Sequence, residues 1–231
     1  ADGHVIQGLN LAATEHGLPV QHMDRKAVGE RFPGFDIPDS AAAIFDPSGG
    51  ILRVEDCVRT HATLAQLHGA RLHTGETVRN WHADKHHVNV ETDLGRYQCG
   101  HLVITPGAWA ARLLPKFSPH LHLLRKSLFW FDTHDDCYLL QHGCPVYLFE
   151  QGRHTFYGFP ALDSKGVKVA DHAGGQRIAS PADLDPHVNT DELSDVSLML
   201  RHYLPRAGHQ LSHHAACMYT MSDDGHFVVG Q

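Results

Sequence analysis

Three short β-type runs carry most of the chemistry this chain offers: Tyr157-Gly158-Phe159-Pro160, Gly166-Val167-Lys168-Val169-Ala170-Asp171-His172 and Cys217-Met218-Tyr219-Thr220. Between them they supply a thiol, two phenols, an amine and an imidazole. Side chains alternate faces along a strand, so Cys217 and Tyr219 share a face, and Lys168 groups with His172 while Val167 and Val169 pack behind. A thiolate attacks electron-poor carbon, and a fixed ammonium stabilises negative charge that develops in a poorly hydrated site. A phenol gives an apolar wall with a hydrogen-bonding tip. Such a set suits a flavin pocket. Each residue also has a plainer reading. A cysteine in an apolar strand is inert packing, a strand lysine keeps a sheet soluble, tyrosines fill cores, and one histidine in a histidine-rich chain carries little weight.

In their order and spacing these blocks resemble the monomeric sarcosine oxidase and N-methyltryptophan oxidase family of FAD-dependent amine oxidases, in the D-amino-acid-oxidase-like superfamily. Leu102-Val103-Ile104-Thr105-Pro106-Gly107-Ala108-Trp109 is similar to the family's hydrophobic strand that ends in a Gly-Ala-Trp turn close to FAD, with Pro106 departing from the usual small residue or methionine. Without the resemblance it reads as an ordinary strand-to-helix turn. The resemblance implies that Cys217 links covalently through sulfur to the flavin 8-methyl carbon, and that Val78, Gly107, Ala108 and Trp109 lie against the cofactor. It makes Lys168 and His172 the catalytic candidates, Lys168 beside flavin N5 where it promotes reaction with O2. Tyr157 and Tyr219 line the substrate cavity. The implied reaction is oxidative demethylation of a secondary N-methyl amino acid, with O2 giving H2O2 and an imine that hydrolyses to formaldehyde. The run His172-Ala173-Gly174-Gly175-Gln176 looks more like the N-methyltryptophan version of this loop than the sarcosine one.

Members of that family open with a strand, a G-x-G-x-x-G turn and a helix whose N-terminus holds the FAD pyrophosphate. No two glycines in the 231 residues are separated by a single residue, so that fingerprint cannot be placed. The arginine and lysine with which family members grip the substrate carboxylate also lie outside the matching region. The expectation is a partial chain, inactive and without FAD by itself. Two other classes remain open: a non-catalytic small-molecule binding module with the same fold, against which Cys217 and Lys168 argue, and a histidine-rich metal-binding protein.

The 22 histidines include His86-His87, His120-Leu121-His122 and His213-His214; adjacent strand residues face opposite ways, so neither His86/His87 nor His213/His214 can chelate one ion as a pair, no H-E-x-x-H is present, and solvated surface rather than a metal site is expected. Nineteen basic against 26 acidic residues give −7 with histidines neutral, which argues against nucleic acid or an anionic membrane as partner. Five cysteines, an odd number with no C-x-x-C spacing, argue against a disulfide framework or zinc ribbon. No long apolar run, secretory signal or lipidation motif is present, so a cytoplasmic protein is expected; the sequence leaves the oligomeric state open, a monomer being favoured.

The elements that must position these groups spell an α+β fold: a mixed-sheet substrate domain with flanking helices, plus a fragment of an FAD-binding α/β domain. The expected division is 1–50 and 116–210 for the substrate side, 51–115 as the FAD-domain remnant, and 211–231 as the strand re-entering it. Helical spacing marks Val5 to His16, Asp24 to Arg31, Val54 to His68, and a helix capped by Asn189 or Thr190 with Leu193, Val196, Leu200 and Tyr203 on one stripe. Strands are expected at Ala41 to Phe45 and Ile51 to Val54 around a turn at Asp46 to Gly50, and at Arg71 to Thr74. A meander follows over Val78 to His82, His87 to Glu91 and Tyr97 to Ile104. Further strands are expected at Leu121 to Phe131, Tyr138 to Leu140, Val146 to Glu150, His154 to Phe159 and Leu211 to Thr220. Arg177 to Asp185 reads as loop.

Overall fold

The structure, a computed structural model, describes residues 3–229; Ala1, Asp2, Gly230 and Gln231, the ends of the expected domain map, lie outside the described residues. Along the chain run α1 (His4–His16), β1 (Gln21–Met23), α2 (Arg25–Arg31), β2 (Ala43–Phe45) and α3 (Val54–Leu67). Then come β3 (Val78–Ala83), β4 (Val88–Thr92), β5 (Arg96–Cys99), α4 (Ala110–Leu113) and β6 (Leu121–Phe131). The rest is β7 (Tyr147–Gln151), β8 (His154–Phe159), β9 (Val167–Asp171), β10 (Gln176–Ile178), α5 (Thr190–Tyr203) and β11 (Leu211–Ser222). Helix and sheet are mixed, as the α+β reading expects. No helix among the described residues is long and apolar enough to cross a membrane.

The chain divides into two compact units. One takes in the described residues up to Ile51, Arg125–Gln176 and Leu184–Cys217; the other takes in Leu52–Leu124, Arg177–Asp183 and the described residues from Met218 onward.

The first unit is built on a sheet with strand order β10-β6-β9-β8-β7, β11 also pairing with β6; the β6-β9, β9-β8 and β8-β7 pairs are antiparallel. Its core gathers Phe129 and Phe131 of β6, Phe156 of β8, Val167 and Val169 of β9, and Val196, Met199 and Leu200 of α5. The valines on β9 are fully buried, as alternation requires. α5 forms where it does for local reasons. The Asn189 side chain accepts from the amides of Asp191 and Glu192, two acidic residues occupy the first turn, and Arg201 and His202 the last, each complementing the helix dipole. α1 ends at Gly17, whose φ of 62° is the left-handed cap that glycine adopts without strain. Gly158 on β8 lies opposite Tyr147 of β7, and a methyl group there would run into the Tyr147 ring and the Lys168 carbonyl.

Tyr138 shows how loops are pinned to this core. It is fully buried, its hydroxyl donates to the Gly34 carbonyl at 2.6 Å and accepts from the Arg206 amide at 3.2 Å, and burial pushes its pKa up. Tyr138→Phe strands the carbonyl of buried Gly34 and takes the acceptor away from the amide of exposed Arg206. The expected cost is about 1–3 kcal/mol of stability, read as a lower urea midpoint at unchanged slope; an unaltered midpoint would contradict this pinning.

Several expected strands are absent. Ile51 to Val54 forms no hairpin with β2; the partner of β2 is β1, through Gln21↔Phe45, His22↔Ile44 and Met23↔Ala43. Arg71 to Thr74 is irregular. Tyr138 to Leu140 folds into 3₁₀ turns, because the Asp135 side chain caps the Cys137 amide and the Gly143 φ of 86° closes the second turn. The stretch read as loop at Arg177 to Asp185 holds part of β10 and a 3₁₀ turn.

In the second unit β3, β4 and β5 form an antiparallel meander. The strand expected to run to Ile104 stops at Cys99, and Leu102 to Thr105 continues without regular pairing, Val103 being 84 % exposed. The helix α3 matches its expected span, but its apolar residues are not buried: Val58 is 63 % and Leu67 76 % exposed.

Candidate functional site

Cross-strand pairing in the first unit assembles one face of the sheet around Lys168. On β9, Lys168 sits directly between Trp130 of β6 and Phe159 of β8, and Ala170 pairs with Tyr157, so all five side chains point the same way. The Lys168 ammonium lies 5.2 Å from the Trp130 ring centroid and 4.9 Å from that of Phe159, within the range of cation–π attraction. His172 falls one residue beyond β9. Its amide still donates to the Thr155 carbonyl at 2.7 Å, and its ring meets Tyr157 edge-on at 6.4 Å.

Cys217, on β11, belongs to the same neighbourhood. Burial pushes its thiol pKa up, and the cations opposing that shift are Lys168 first, then Lys126 and Arg125. Lys168, His172, Tyr157 and Cys217 are therefore gathered in one unit. A raised thiol pKa means little thiolate at neutral pH. Iodoacetamide should label Cys217 several-fold more slowly in the folded chain than in urea at pH 7, followed by peptide mass mapping; equal rates would remove burial as the controlling factor.

The remaining candidates lie in the second unit and are gathered there separately. Gly107–Trp109 forms a 3₁₀ turn with Gly107 at φ 55°, leading into α4. From α4, Arg112 donates to the Val78 carbonyl, and the Leu113 carbonyl accepts from the Trp81 indole at 2.7 Å. The Thr220 hydroxyl donates to the Gly107 carbonyl at 3.2 Å, which sets the Tyr219-Thr220 end of β11 beside that turn. Val78, Gly107, Ala108, Trp109 and Tyr219 thus belong to one small region.

Two buried cations went unnoticed in the sequence: Arg125 and Lys126, 1 % and 2 % exposed in the middle of β6. The signal was there, since Arg125-Lys126-Ser127 interrupts an otherwise apolar strand and charges are rarely buried unpaired. Arg125 donates to the carbonyls of Asp185 and His187, to the Ser127 hydroxyl at 3.0 Å and to the Glu192 carboxylate at 3.3 Å. Lys126 donates to three consecutive carbonyls, His172 at 2.9 Å, Ala173 at 2.7 Å and Gly174 at 2.9 Å.

Two cavities open within this unit, neither lined by Lys168, His172, Tyr157 or Cys217. One of about 550 Å³ is walled by aromatic residues including Phe32, Phe35, Phe45 and Phe149. The other, about 280 Å³, is lined by charged residues including Lys126, Asp171 and Glu192 together with Phe129 and Val196. Among the described residues no three His, Cys, Asp or Glu side chains converge as a metal site.

Residues 4–231 match the family model described as FAD dependent oxidoreductase. The chain is 31% identical over 222 residues to monomeric sarcosine oxidase from Bacillus sp. (strain B-0618), covering 94% of this chain and 57% of that protein. It is also 31% identical over 232 residues to N-methyl-L-tryptophan oxidase from Salmonella typhi, covering 99% and 61%. The chain thus spans little more than half the length of these relatives. Among solved structures, NikD, an unusual amino acid oxidase essential for nikkomycin biosynthesis, superposes with a TM-score of 0.75 at 20% identity, covering 95% of this chain and 57% of NikD. L-proline dehydrogenase from P. horikoshii superposes with a TM-score of 0.79 at 16% identity, covering 100% and 61%. At those identities the likeness is one of fold.

Proposed function

Because this chain belongs to the FAD dependent oxidoreductase family, we propose that it forms the substrate side of a flavin-dependent oxidase of secondary N-methyl amino acids, of the sarcosine or N-methyltryptophan type. The observation that carries the proposal is the aromatic face holding the Lys168 ammonium in the electrostatic neighbourhood of the Cys217 thiol. That donor set fits the isoalloxazine end of FAD: a thiol for the covalent link and an ammonium for the region that turns anionic. The pyrophosphate end finds no matching glycine-rich turn in these residues, so the chain alone is proposed to be inactive and free of FAD.

When bound, FAD supplies the redox chemistry, accepting hydride equivalents from the amine and delivering electrons to dioxygen. Lys168, half buried, holds its positive charge between two ring faces, where charge is worth more than in bulk solvent. Tyr157 lends the substrate an apolar wall with a hydroxyl tip, and His172 offers a donor and an acceptor nitrogen beside it. The demethylation products are then H2O2 and formaldehyde.

The covalent link gives a direct test. In the natural full-length protein, acid precipitation should leave yellow colour in the pellet, and Cys217→Ser should release it to the supernatant. Release from the unsubstituted protein would sink the link, and absence of peroxide with both sarcosine and N-methyltryptophan would sink the substrate class.

A further inference from the structure

The loop after β9 is built around an ammonium group. Lys126, on the neighbouring strand β6, is 2 % exposed, yet its side chain meets three hydrogen-bond acceptors at 2.7–2.9 Å, the successive carbonyls of His172, Ala173 and Gly174. An alkylammonium has three N–H donors and no acceptor, so this cradle matches its donor count. Three neighbouring carbonyls converge on one point only if the backbone turns sharply behind them. Gly174 and Gly175 do that at φ 61° and 113°, where a side chain would be strained. Asp171 ties down the loop's other end, accepting from the amides of Thr155 at 3.0 Å and Ala173 at 2.9 Å while its second oxygen meets His154 Nδ1 at 2.6 Å.

We infer that Lys126 is a positioning residue for the candidate site: its ammonium fixes the backbone of His172–Gly174 and thereby holds the His172 ring against Tyr157. A general stabilising role would have been served more cheaply by an apolar side chain, since an ion in the interior must first lose its hydration. The charge is retained because the loop's own carbonyls need a donor there. The cavity of about 280 Å³, lined by Lys126, Asp171, Ala173, Gly174 and Glu192 among others, gives a small amine access to the same carbonyls once the lysine stem is removed.

Chemical rescue tests this on the 231-residue chain without flavin or turnover. Amide hydrogen exchange of the segment spanning residues 172–176 should be at least about ten-fold faster in Lys126→Ala, with β8 as an internal reference that changes less, because three charge-assisted bonds are lost locally. Propylammonium should restore slow exchange. Tetramethylammonium, which carries the charge but no N–H, should not. Unchanged exchange, equal acceleration in β8, or equal rescue by both ions would overturn the proposal. Should Lys126→Ala fail to fold, recovery of native circular dichroism by propylammonium alone is the supporting result, and recovery by neither ion the opposing one.

The functional half rests on the oxidase reading. In the natural full-length protein Lys126→Ala should raise KM for the amine about ten-fold with a smaller change in kcat, as loss of binding geometry does, and propylammonium should reverse it. An unaltered KM would overturn the link to His172. A parent protein that oxidises no N-methyl amino acid would sink the oxidase reading and leave the exchange result standing.

Discussion

Lys168→Met in the natural full-length protein is expected to slow oxygen consumption about 10²- to 10³-fold, the loss typical when one preorganised electrostatic partner is removed from a developing anion. The geometry behind the figure is specific. Lys168 is half buried on β9, its ammonium between the rings of Trp130 and Phe159, whose faces favour a cation. Methionine keeps the length and apolar stem of the side chain, so β9 and its fully buried valines should be undisturbed. Anaerobic reduction of the cofactor by substrate should change far less than reoxidation, measured separately by stopped flow. An equal fall in both steps would mean that Lys168 serves substrate binding, and no fall in reoxidation would remove it from oxygen chemistry.

Arg125→Met is expected to cost the isolated chain about 1–3 kcal/mol of stability, the range for leaving hydrogen-bonding groups unsatisfied when their buried partner is removed. The guanidinium is 1 % exposed and serves four acceptors on two segments: Ser127 beside it on β6, and Asp185, His187 and Glu192 around the start of α5. Removing it leaves two carbonyls and a hydroxyl without that donor and a carboxylate without its partner. The segment from Asp185 to Asn189, which delivers the cap of α5, then loses its anchor. Urea denaturation reads the change, and a loss below about 1 kcal/mol would place these bonds at the level of an exposed ion pair.

Local signals carried far in this chain. The Asn189 cap, the Gly17 stop, the Asp24 cap of α2 and the alternation that buries Val167 and Val169 are all contained within a few residues, and the sequence declares them. What depended on distant partners was not legible. Ile51 to Val54 and Leu102 to Thr105 have the composition of strands, but composition cannot say whether a neighbouring strand stands ready to pair. For the site, the reactive types were visible as thiol, amine, phenol and imidazole. The aromatic walls beside Lys168 follow from register across β6, β9 and β8, which no local pattern specifies. Arg125 and Lys126 were hidden by the ordinary expectation that charged residues face solvent, and only the carbonyls brought to them by the fold explain their burial.

Leu102 to Thr105 bears on how the isolated chain behaves in the tube. These four residues are apolar or β-branched and uncharged, their exposure alternates as along an extended backbone, and they form no regular ladder. Pro106 follows at once and, lacking an N–H, blunts one end. A stretch of that kind is a template on which another copy can lay down a strand. Losses from concentrated stocks are then expected to rise with concentration, and a charged gatekeeper at Val103 is expected to reduce them.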